Sequence, residues 1–187
     1  MNTVVTSREK LLAACRSIAA THGLTALNMR AVAAAANVAV GSVYNYFPSK
    51  GDLILATVED IWRDIFHSAG NCATYTRFDD CIRSLFVSIQ SGAAAYPDFL
   101  QTHMTIFDAN DLPKARPKMQ AAFSHMEKSL VQVLLQDTAV EPSVFDSTFT
   151  PQAFVSFVMQ HILSLLCQPT PDITILLEIV RRVLYKH

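Results

Sequence analysis

Apolar residues recur at intervals of three and four along most of the chain, and few segments alternate apolar and polar residues with a period of two. This pattern predicts an all-α protein. Thr6, followed by Glu9 three residues later, has the sequence of a capping box and predicts the start of a first helix. Gly23 can adopt the left-handed backbone that often ends a helix. The apolar face of this helix carries Leu11, Leu12, Cys15, Ile18 and Ala19.

Two short helices and a longer one are predicted next. Asn28 can cap a short helix that ends near Asn37, a residue type that tolerates left-handed geometry. A third helix is predicted over residues 40–47, where Pro48 ends it. The sequence S-K-G-D at 49–52 resembles the cap of a fourth helix. Two short helices with a tight break form a helix-turn-helix pattern, although many helical bundles contain one by chance.

Five further segments with helical periodicity follow, and a proline stands at or near the start of four of them. Residues 138–150 are predicted to be the longest loop. The five predicted helical segments are 77–94, 97–109, 114–137, 151–168 and 172–186.

The formal net charge of the chain is −1, but the charge is unevenly distributed. Residues 1–51 contain five basic residues and one acidic residue, which gives +4, and the remainder contains ten basic and fifteen acidic residues, which gives −5. A basic N-terminal part favours an anionic partner there. Five scattered cations are also compatible with an ordinary solvated surface.

The predicted third helix has an uncharged polar face. At about 100° per residue, one arc is expected to pack against the preceding helices, and it comprises Val40, Val43, Tyr44 and Phe47. The opposite arc comprises Gly41, Ser42, Asn45 and Tyr46. Small and hydrogen-bonding side chains of this kind suit the base edges of a DNA major groove. Lys50, with the amides at the start of the next helix, can hold a phosphate.

The most specific motif of the chain is VAVGSVYNYFPSKGDL, at residues 38–53, within a longer stretch that begins SREKLLAACRSIAATHGL at Ser7. Over roughly its first 55 to 60 residues the chain resembles the DNA-binding domain of the TetR (tetracycline-repressor-like) family of transcriptional regulators. The positions whose spacing agrees with the family pattern are Gly23, Gly41, Tyr44, Phe47 and Lys50.

The resemblance implies an N-terminal three-helix DNA-binding domain with a helix-turn-helix over residues 1–50. It also implies a C-terminal helical bundle for effector binding and dimerisation over residues 51–187. A homodimer would bind a palindromic operator and be released by a small, largely apolar effector, which makes the protein a regulator, expected to be a repressor, and not an enzyme.

The resemblance also assigns roles to individual residues. Tyr44 and Lys50 match phosphate-contacting positions, and Arg30 matches a position that often contacts phosphate. The full expected DNA-binding set is Arg30, Val40, Gly41, Ser42, Tyr44, Asn45, Tyr46 and Lys50. Three positions depart from the family pattern: Asn37 replaces a turn glycine, Ala39 replaces a Ser or Thr cap, and Val40 stands where a polar residue is frequent. At Val40 a contact is therefore either missing or replaced by contact with a thymine methyl group.

The last two predicted helices are expected to form the homodimer interface. The segment 151–168 is apolar around its circumference, and 172–186 has an apolar stripe with Ile175 and Ile179 beside it. A second subunit would cover both segments through a four-helix interface. Core packing within one chain is the alternative.

Methionine and aromatic residues of the middle segments suit an adaptable lining for an apolar effector. For any single residue, ordinary core packing is the alternative. The candidate effector-binding residues are Trp62, Phe66, Phe86, His103, Met104, Phe107, Met119, Phe123 and Met126.

Other classes of function have less support in the sequence. No metal-ligand spacing, cofactor motif or nucleophile motif is present, so no metal and no cofactor are expected. Asp79 and Asp80 lie near Arg83 and are interpreted as a surface salt bridge. Neither a signal peptide nor a membrane span is indicated, which favours a cytoplasmic protein. The alternatives are a helical carrier or enzyme for an apolar small molecule without specific DNA binding, and a regulator that responds to a protein partner or to thiol oxidation.

Overall fold

The computed structural model describes residues 6–68, 75–103, 105–109 and 111–185, and in these ranges all the regular structure is helical. The predicted all-α fold is therefore confirmed. Two 3₁₀ turns, Leu24–Ala26 and Pro142–Val144, lie between the α-helices. The α-helices of the described ranges are α1 (Arg8–His22), α2 (Met29–Ala35), α3 (Val40–Tyr44), α4 (Lys50–Ser68), α5 (Phe78–Ala93), α6 (Phe99–Thr102), α7 (Leu112–Gln136), α8 (Pro151–Leu166) and α9 (Thr174–Leu184).

The start of α1 differs from the prediction by one residue. Ser7, not Thr6, is the N-cap, since its backbone is extended and its hydroxyl accepts a hydrogen bond from the Lys10 amide at 3.3 Å. The Thr6 hydroxyl instead donates to the Ser7 carbonyl. The predicted capping box with Glu9 is therefore wrong, because Glu9 lies two residues after the true cap.

The predicted signals between α1 and α3 are confirmed. Gly23 has a φ of 76° and its amide donates to the Ala19 carbonyl. The Asn28 side chain accepts hydrogen bonds from the amides of Arg30 and Ala31, which caps α2. Asn37 has a φ of 53°, so the chain turns between α2 and α3 through a left-handed asparagine.

Two predicted helices are shorter in the structure. Helix α3 ends at Tyr44, and the next three residues continue as a turn in which the Phe47 amide donates to the Val43 carbonyl. In the segment predicted over 97–109, the helix that the described residues form is the short α6, which begins after Asp98, a residue with a left-handed φ of 55°. Among the described residues between α6 and α7, the Thr105 amide donates to the Thr102 carbonyl and the Asp111 amide to the Asp108 carbonyl, each three residues earlier, as in turns.

The chain divides into two compact units that do not follow its order. The first comprises Met1–Asp64 and Gly92–Gln120, and the second comprises Ile65–Ser91 and Ala121–His187. Helices α4 and α7 therefore each contribute residues to both units. The functional domains expected over residues 1–50 and 51–187 stay predictions.

The core of the first unit combines the helix-turn-helix with α4. Helices α1, α2 and α3 pack on one another, and Leu11, Cys15 and Val43 are fully buried. Trp62 of α4 is also fully buried, and its ring lies 5.2 Å from the ring of Phe99, centroid to centroid. The same unit thus holds both the helix-turn-helix and the segment that contains α6.

None of the helices in the described ranges is both long and apolar enough to span a lipid bilayer.

Candidate nucleic-acid interface

Helix α3 is attached to the first unit by two side chains. Val43 is fully buried, and Phe47, in the turn after the helix, is 1% exposed. Val40 and Tyr44 were predicted to lie on the same buried arc, but they are 36% and 50% exposed. That prediction is wrong because α2 and α3 are each too short to cover a wide face, so their contact buries only the residues at its centre.

The remaining side chains of α3 and its C-cap face outward and carry no charge. We call this surface the reading face, and it consists of Val40, Gly41, Ser42, Tyr44 and Asn45, with Ser42 half-buried and the others exposed. A Cβ added at Gly41 would meet no other atom within 4 Å, so the surface beside it is open. The predicted outward position of Gly41, Ser42 and Asn45 agrees with the structure.

Tyr46 is 36% exposed, as its predicted outward position requires, but its hydroxyl is occupied. Its hydroxyl donates a hydrogen bond of 2.9 Å to the Thr6 carbonyl, just before α1. The phenol therefore links the turn after α3 to the residue two positions before α1. No local pattern signals this contact, because the two residues are distant in the chain.

The start of α4 is capped as the S-K-G-D sequence predicts. The Ser49 hydroxyl accepts a hydrogen bond from the Asp52 amide at 3.0 Å and donates one to the Asp52 carboxylate at 2.7 Å. The Asp111 carboxylate occupies the space that a side chain at Gly51 would need. Ser49 thus caps the first turn of α4, and the ammonium of Lys50, which is predicted to hold a phosphate, is exposed beside it.

The basic residues of the N-terminal part have different environments. Arg16 forms an ion pair with the buried Asp60 of α4, and the Arg8 guanidinium lies 5.2 Å from the centroid of the Phe47 ring. Lys10, Arg30 and Lys50 are exposed and have no ion-pair partner among the described residues. The cationic surface is therefore smaller than the sequence count suggests.

The candidate effector-binding residues fall into both units. In the first unit Trp62, His103, Phe107 and Met119 are buried, and the rings of Trp62 and His103 meet edge to face at 5.2 Å. In the second unit Phe86 and Met126 are buried, and the half-buried rings of Phe66 and Phe123 meet edge to face at 5.7 Å. Met104 lies outside the described residues. Whether these residues line an effector site stays a prediction.

His103 is held in one orientation inside the first unit. Its Nδ1 lies 3.0 Å from the Phe99 carbonyl and 3.1 Å from the Leu100 carbonyl, so Nδ1 carries the proton that is donated to them. Burial lowers the pKa of His103, and the hydrogen bonds to the two carbonyls only partly oppose this effect. The neutral imidazole is therefore the favoured form at neutral pH.

The second unit has a surface groove of about 320 Å³ between α7 and α8. It contains none of the candidate effector-binding residues. The groove is lined by Ser124, Glu127, Lys128, Val131, Gln132, Gln152 and Ser156.

Asp79 and Asp80 do not form the predicted surface salt bridge. Asp79 is buried, and its carboxylate accepts hydrogen bonds from Arg77 at 3.0 Å and Arg181 at 2.8 Å, while Asp80 is exposed. The prediction is wrong because α9 places Arg181 beside α5. Within the described ranges, no cluster of three or more His, Cys, Asp or Glu side chains could hold a metal ion.

A short helix, a tight left-handed turn and a second short helix with an open, uncharged outer face define the protein as a helix-turn-helix protein of the DNA-binding type. Residues 11–57 match the family described as "Bacterial regulatory proteins, tetR family". The match covers about a quarter of the chain, and it confirms that the N-terminal segment resembles the DNA-binding part of this family.

Curated relatives match the same part of the chain. The HTH-type transcriptional repressor KstR of Mycolicibacterium smegmatis is 47% identical over 51 residues, which are 27% of this chain and 25% of KstR. The KstR of Mycobacterium tuberculosis is also 47% identical over 51 residues, which are 27% of this chain and 23% of that protein. The match therefore spans about a quarter of these relatives' length.

Solved structures resemble the whole chain in fold. A structure of BioQ with its natural double-stranded DNA operator superposes with a TM-score of 0.67 at 16% identity, over 95% of this chain and 98% of that one. A putative transcriptional regulator from Rhodococcus sp. RHA1 superposes with a TM-score of 0.69 at 15% identity, over 96% and 95% of the two chains. At these identities the likeness concerns the fold alone.

Proposed function

We propose that this protein is a ligand-responsive transcriptional repressor that binds a palindromic DNA operator as a homodimer and is released by a small, largely apolar effector. The observation that carries this proposal is the reading face, an open and uncharged surface on the second helix of a helix-turn-helix. The match of the same segment to the TetR family and its likeness to part of KstR, a repressor, support it.

In this proposal the reading face enters the major groove and the flanking groups hold the DNA backbone. Tyr44 is half-exposed, and its hydroxyl makes no hydrogen bond among the described residues, so it can donate to a phosphate oxygen. Lys50 and Arg30 supply exposed cations after and before α3. Phosphate contacts fix the position of α3, and the side chains of the reading face distinguish the bases.

The homodimer would form through α8 and α9, within segments 151–168 and 172–186. Phe157 of α8 is 43% exposed, and Ile175 and Ile179 of α9 are 70% and 42% exposed. Large apolar side chains on two neighbouring helices favour a self-complementary contact, which a second copy of the chain would supply. Two reading faces would then meet successive major grooves, about 34–36 Å apart.

Contacts within the first unit give a route by which an effector would act on DNA binding. The segment that follows α5 touches α4 at three levels: Asp111 lies against Gly51, Lys118 lies 4.0 Å from Glu59, and His103 packs on Trp62. An effector that displaces this segment would therefore move α4, which begins two residues after Pro48 and carries Lys50. A coupling free energy of about 1–3 kcal/mol is typical for such effects.

Selection of bound fragments from the host genome tests the function. The wild-type protein should retain specific fragments, expected to include the DNA upstream of its own gene, and the Tyr44→Ala/Lys50→Ala variant should retain them more than tenfold less, because both phosphate contacts are lost. Circular dichroism of the variant controls for folding, since both residues are exposed. Tight binding of apolar small molecules without any specific fragment would instead identify a carrier.

A further inference from the structure

We propose that each operator half-site is recognised mainly through adenine–thymine base pairs, with Val40 against a thymine methyl group and Asn45 on an adenine. This inference rests on the proposed function, because it requires that α3 enters the major groove.

The reading face carries no arginine or lysine. Guanine is most often recognised by an arginine or lysine that donates two hydrogen bonds to O6 and N7. No charged residue occurs between Val38 and Ser49, so the reading face cannot make this contact. The nearest cations in the sequence, Arg30 and Lys50, begin other helices. A face without arginine or lysine must discriminate base pairs through other groups.

Val40 exposes an apolar side chain at the start of α3. It is the first residue of α3, and the N-terminal residues of a recognition helix are those that approach the base edges. Its side chain is 36% exposed although it is apolar. The thymine methyl is the one apolar group that a base pair presents in the major groove. Contact with that methyl would bury Val40, and no other group on a base edge offers the same gain.

Asn45 presents an exposed side-chain amide at the end of α3. Its exposed side-chain amide makes no hydrogen bond within the described residues, while its backbone amide donates to the Gly41 carbonyl at 3.2 Å. Gly41 lies one turn earlier on the same face, and the space beside it is open. A base edge can therefore approach Asn45 closely, and an asparagine amide matches the donor and acceptor of adenine, N6 and N7.

The other polar groups of this region contribute less discrimination. The Tyr46 hydroxyl is bound to the Thr6 carbonyl. Ser42 is half-buried, and a serine hydroxyl can hydrogen-bond to either donors or acceptors on a base. Val40 and Asn45 are thus the residues that set the preferred base pairs.

Atomic substitutions in the DNA test both contacts without changing the protein. Operators are first selected from a random duplex library. If the inference holds, the selected sequences are enriched in adenine–thymine pairs. Uracil then replaces each thymine in turn, which removes only the methyl group, and affinity should fall about fourfold at one position in each half-site. Replacement of each adenine by 7-deazaadenine removes the N7 acceptor, and affinity should fall about two- to tenfold at one position.

Protein variants assign each effect to its residue. Val40→Ala should lose the response to uracil and keep the response to 7-deazaadenine, and Asn45→Ala should show the reverse. Each variant is thus the control for the other. A selected operator that tolerates every uracil and 7-deazaadenine substitution, or responses that persist in both variants, would overturn the inference while leaving the repressor function intact. A library from which no sequence is enriched would overturn the proposed function itself.

Discussion

At the scale of single residues, the second unit is held together by a buried acid. Asp79 of α5 lies between the guanidinium groups of Arg77 and Arg181, and its backbone amide donates a hydrogen bond of 3.3 Å to the Tyr185 hydroxyl. The same hydroxyl lies 2.7 Å from the Asp137 carboxylate. Burial acts to raise the pKa of Asp79, but the hydrogen bonds from Arg181 and Arg77 outweigh it, so the pKa lies below its ordinary value.

Asp79→Asn should lower the free energy of unfolding by about 2–3 kcal/mol at neutral pH, because two charge-assisted hydrogen bonds are weakened in a buried site. A carboxylate whose pKa is lowered by folding stabilises the protein above its unfolded pKa of about 3.9, and this contribution is lost as the pH falls further. The difference between wild type and variant should therefore shrink below about pH 4. Urea unfolding at several pH values measures it.

Asp80→Asn is the matched control, since Asp80 is adjacent and exposed. It should change stability by no more than about 0.5 kcal/mol at any pH. An equal loss in the two variants would mean that Asp79 has no special role.

Two tyrosines near the reading face should respond in opposite ways to loss of their hydroxyl. Tyr46→Phe removes the hydrogen bond to the Thr6 carbonyl and should cost about 0.5–1.5 kcal/mol of stability with little direct effect on base contacts. Tyr44→Phe should leave stability unchanged and weaken operator binding about two- to tenfold, since its hydroxyl is assigned to a phosphate. Unfolding curves and operator titrations of both variants separate the two roles. If Tyr44→Phe lowered stability and Tyr46→Phe weakened operator binding, Tyr46 would be the phosphate contact and Tyr44 the structural residue.

At the scale of elements, α4 connects the helix-turn-helix to the segment around α6 within the first unit. Its start is crowded by Asp111, which comes directly before α7, and glycine at position 51 leaves room for that carboxylate. A negative charge at this end of the helix is favourable, because the first turn of α4 has a partial positive charge. Glycine at position 51 therefore allows the Asp111 carboxylate to lie close to the backbone of α4, and it is not needed for a turn.

Gly51→Ala should destabilise the protein by no more than about 1 kcal/mol, because the new Cβ displaces only the flexible carboxylate end of Asp111. The same substitution in an Asp111→Ala background should cost nothing, since the space is then free, and a double-mutant cycle isolates this coupling. Gly41→Ala is the control, because a Cβ there meets no other atom within 4 Å. Equal penalties for Gly51→Ala in both backgrounds would show that Asp111 is not the group in contact.

The elements also show what the sequence can and cannot predict. The Asn28 cap, the left-handed Asn37 and the Ser49 cap were predictable because each depends on residues within three or four positions. The exposure of Tyr44 was not, because it depends on how far a neighbouring helix extends. The contacts of Tyr46 with Thr6 and of Asp111 with Gly51 join residues far apart in the chain, which no local pattern records.

At the scale of the whole molecule, function depends on whether two chains associate through α8 and α9. The sequence predicts apolar residues around the segment 151–168 and an apolar stripe along 172–186 with Ile175 and Ile179 beside it. The structure leaves Phe157, Ile175 and Ile179 exposed. In a single chain such residues would remain in water, at a cost that a second copy would remove. Association would also double the number of phosphate contacts, and a two-fold symmetric dimer would match a palindromic operator.

Ile179→Glu should convert the dimer to a monomer, because a carboxylate would be buried without a partner in a self-complementary interface. Leu135→Glu is the control, since Leu135 of α7 is 59% exposed and lies outside the proposed interface. Analytical ultracentrifugation at micromolar concentration gives the oligomeric state of each variant. If the Ile179→Glu protein remained dimeric, the interface would lie elsewhere. If the wild type were monomeric, the proposed dimer would not exist.

The salt dependence of operator binding most directly tests whether α3 and the start of α4 contact DNA. The slope of log K against log salt reports how many phosphates are neutralised, and each lysine–phosphate contact contributes about one. Lys50→Ala should reduce the magnitude of the slope by about two per dimer, while Lys128→Ala, in the second unit, should leave it unchanged. A Lys50→Ala protein with wild-type affinity and slope would contradict the assignment of this surface to DNA.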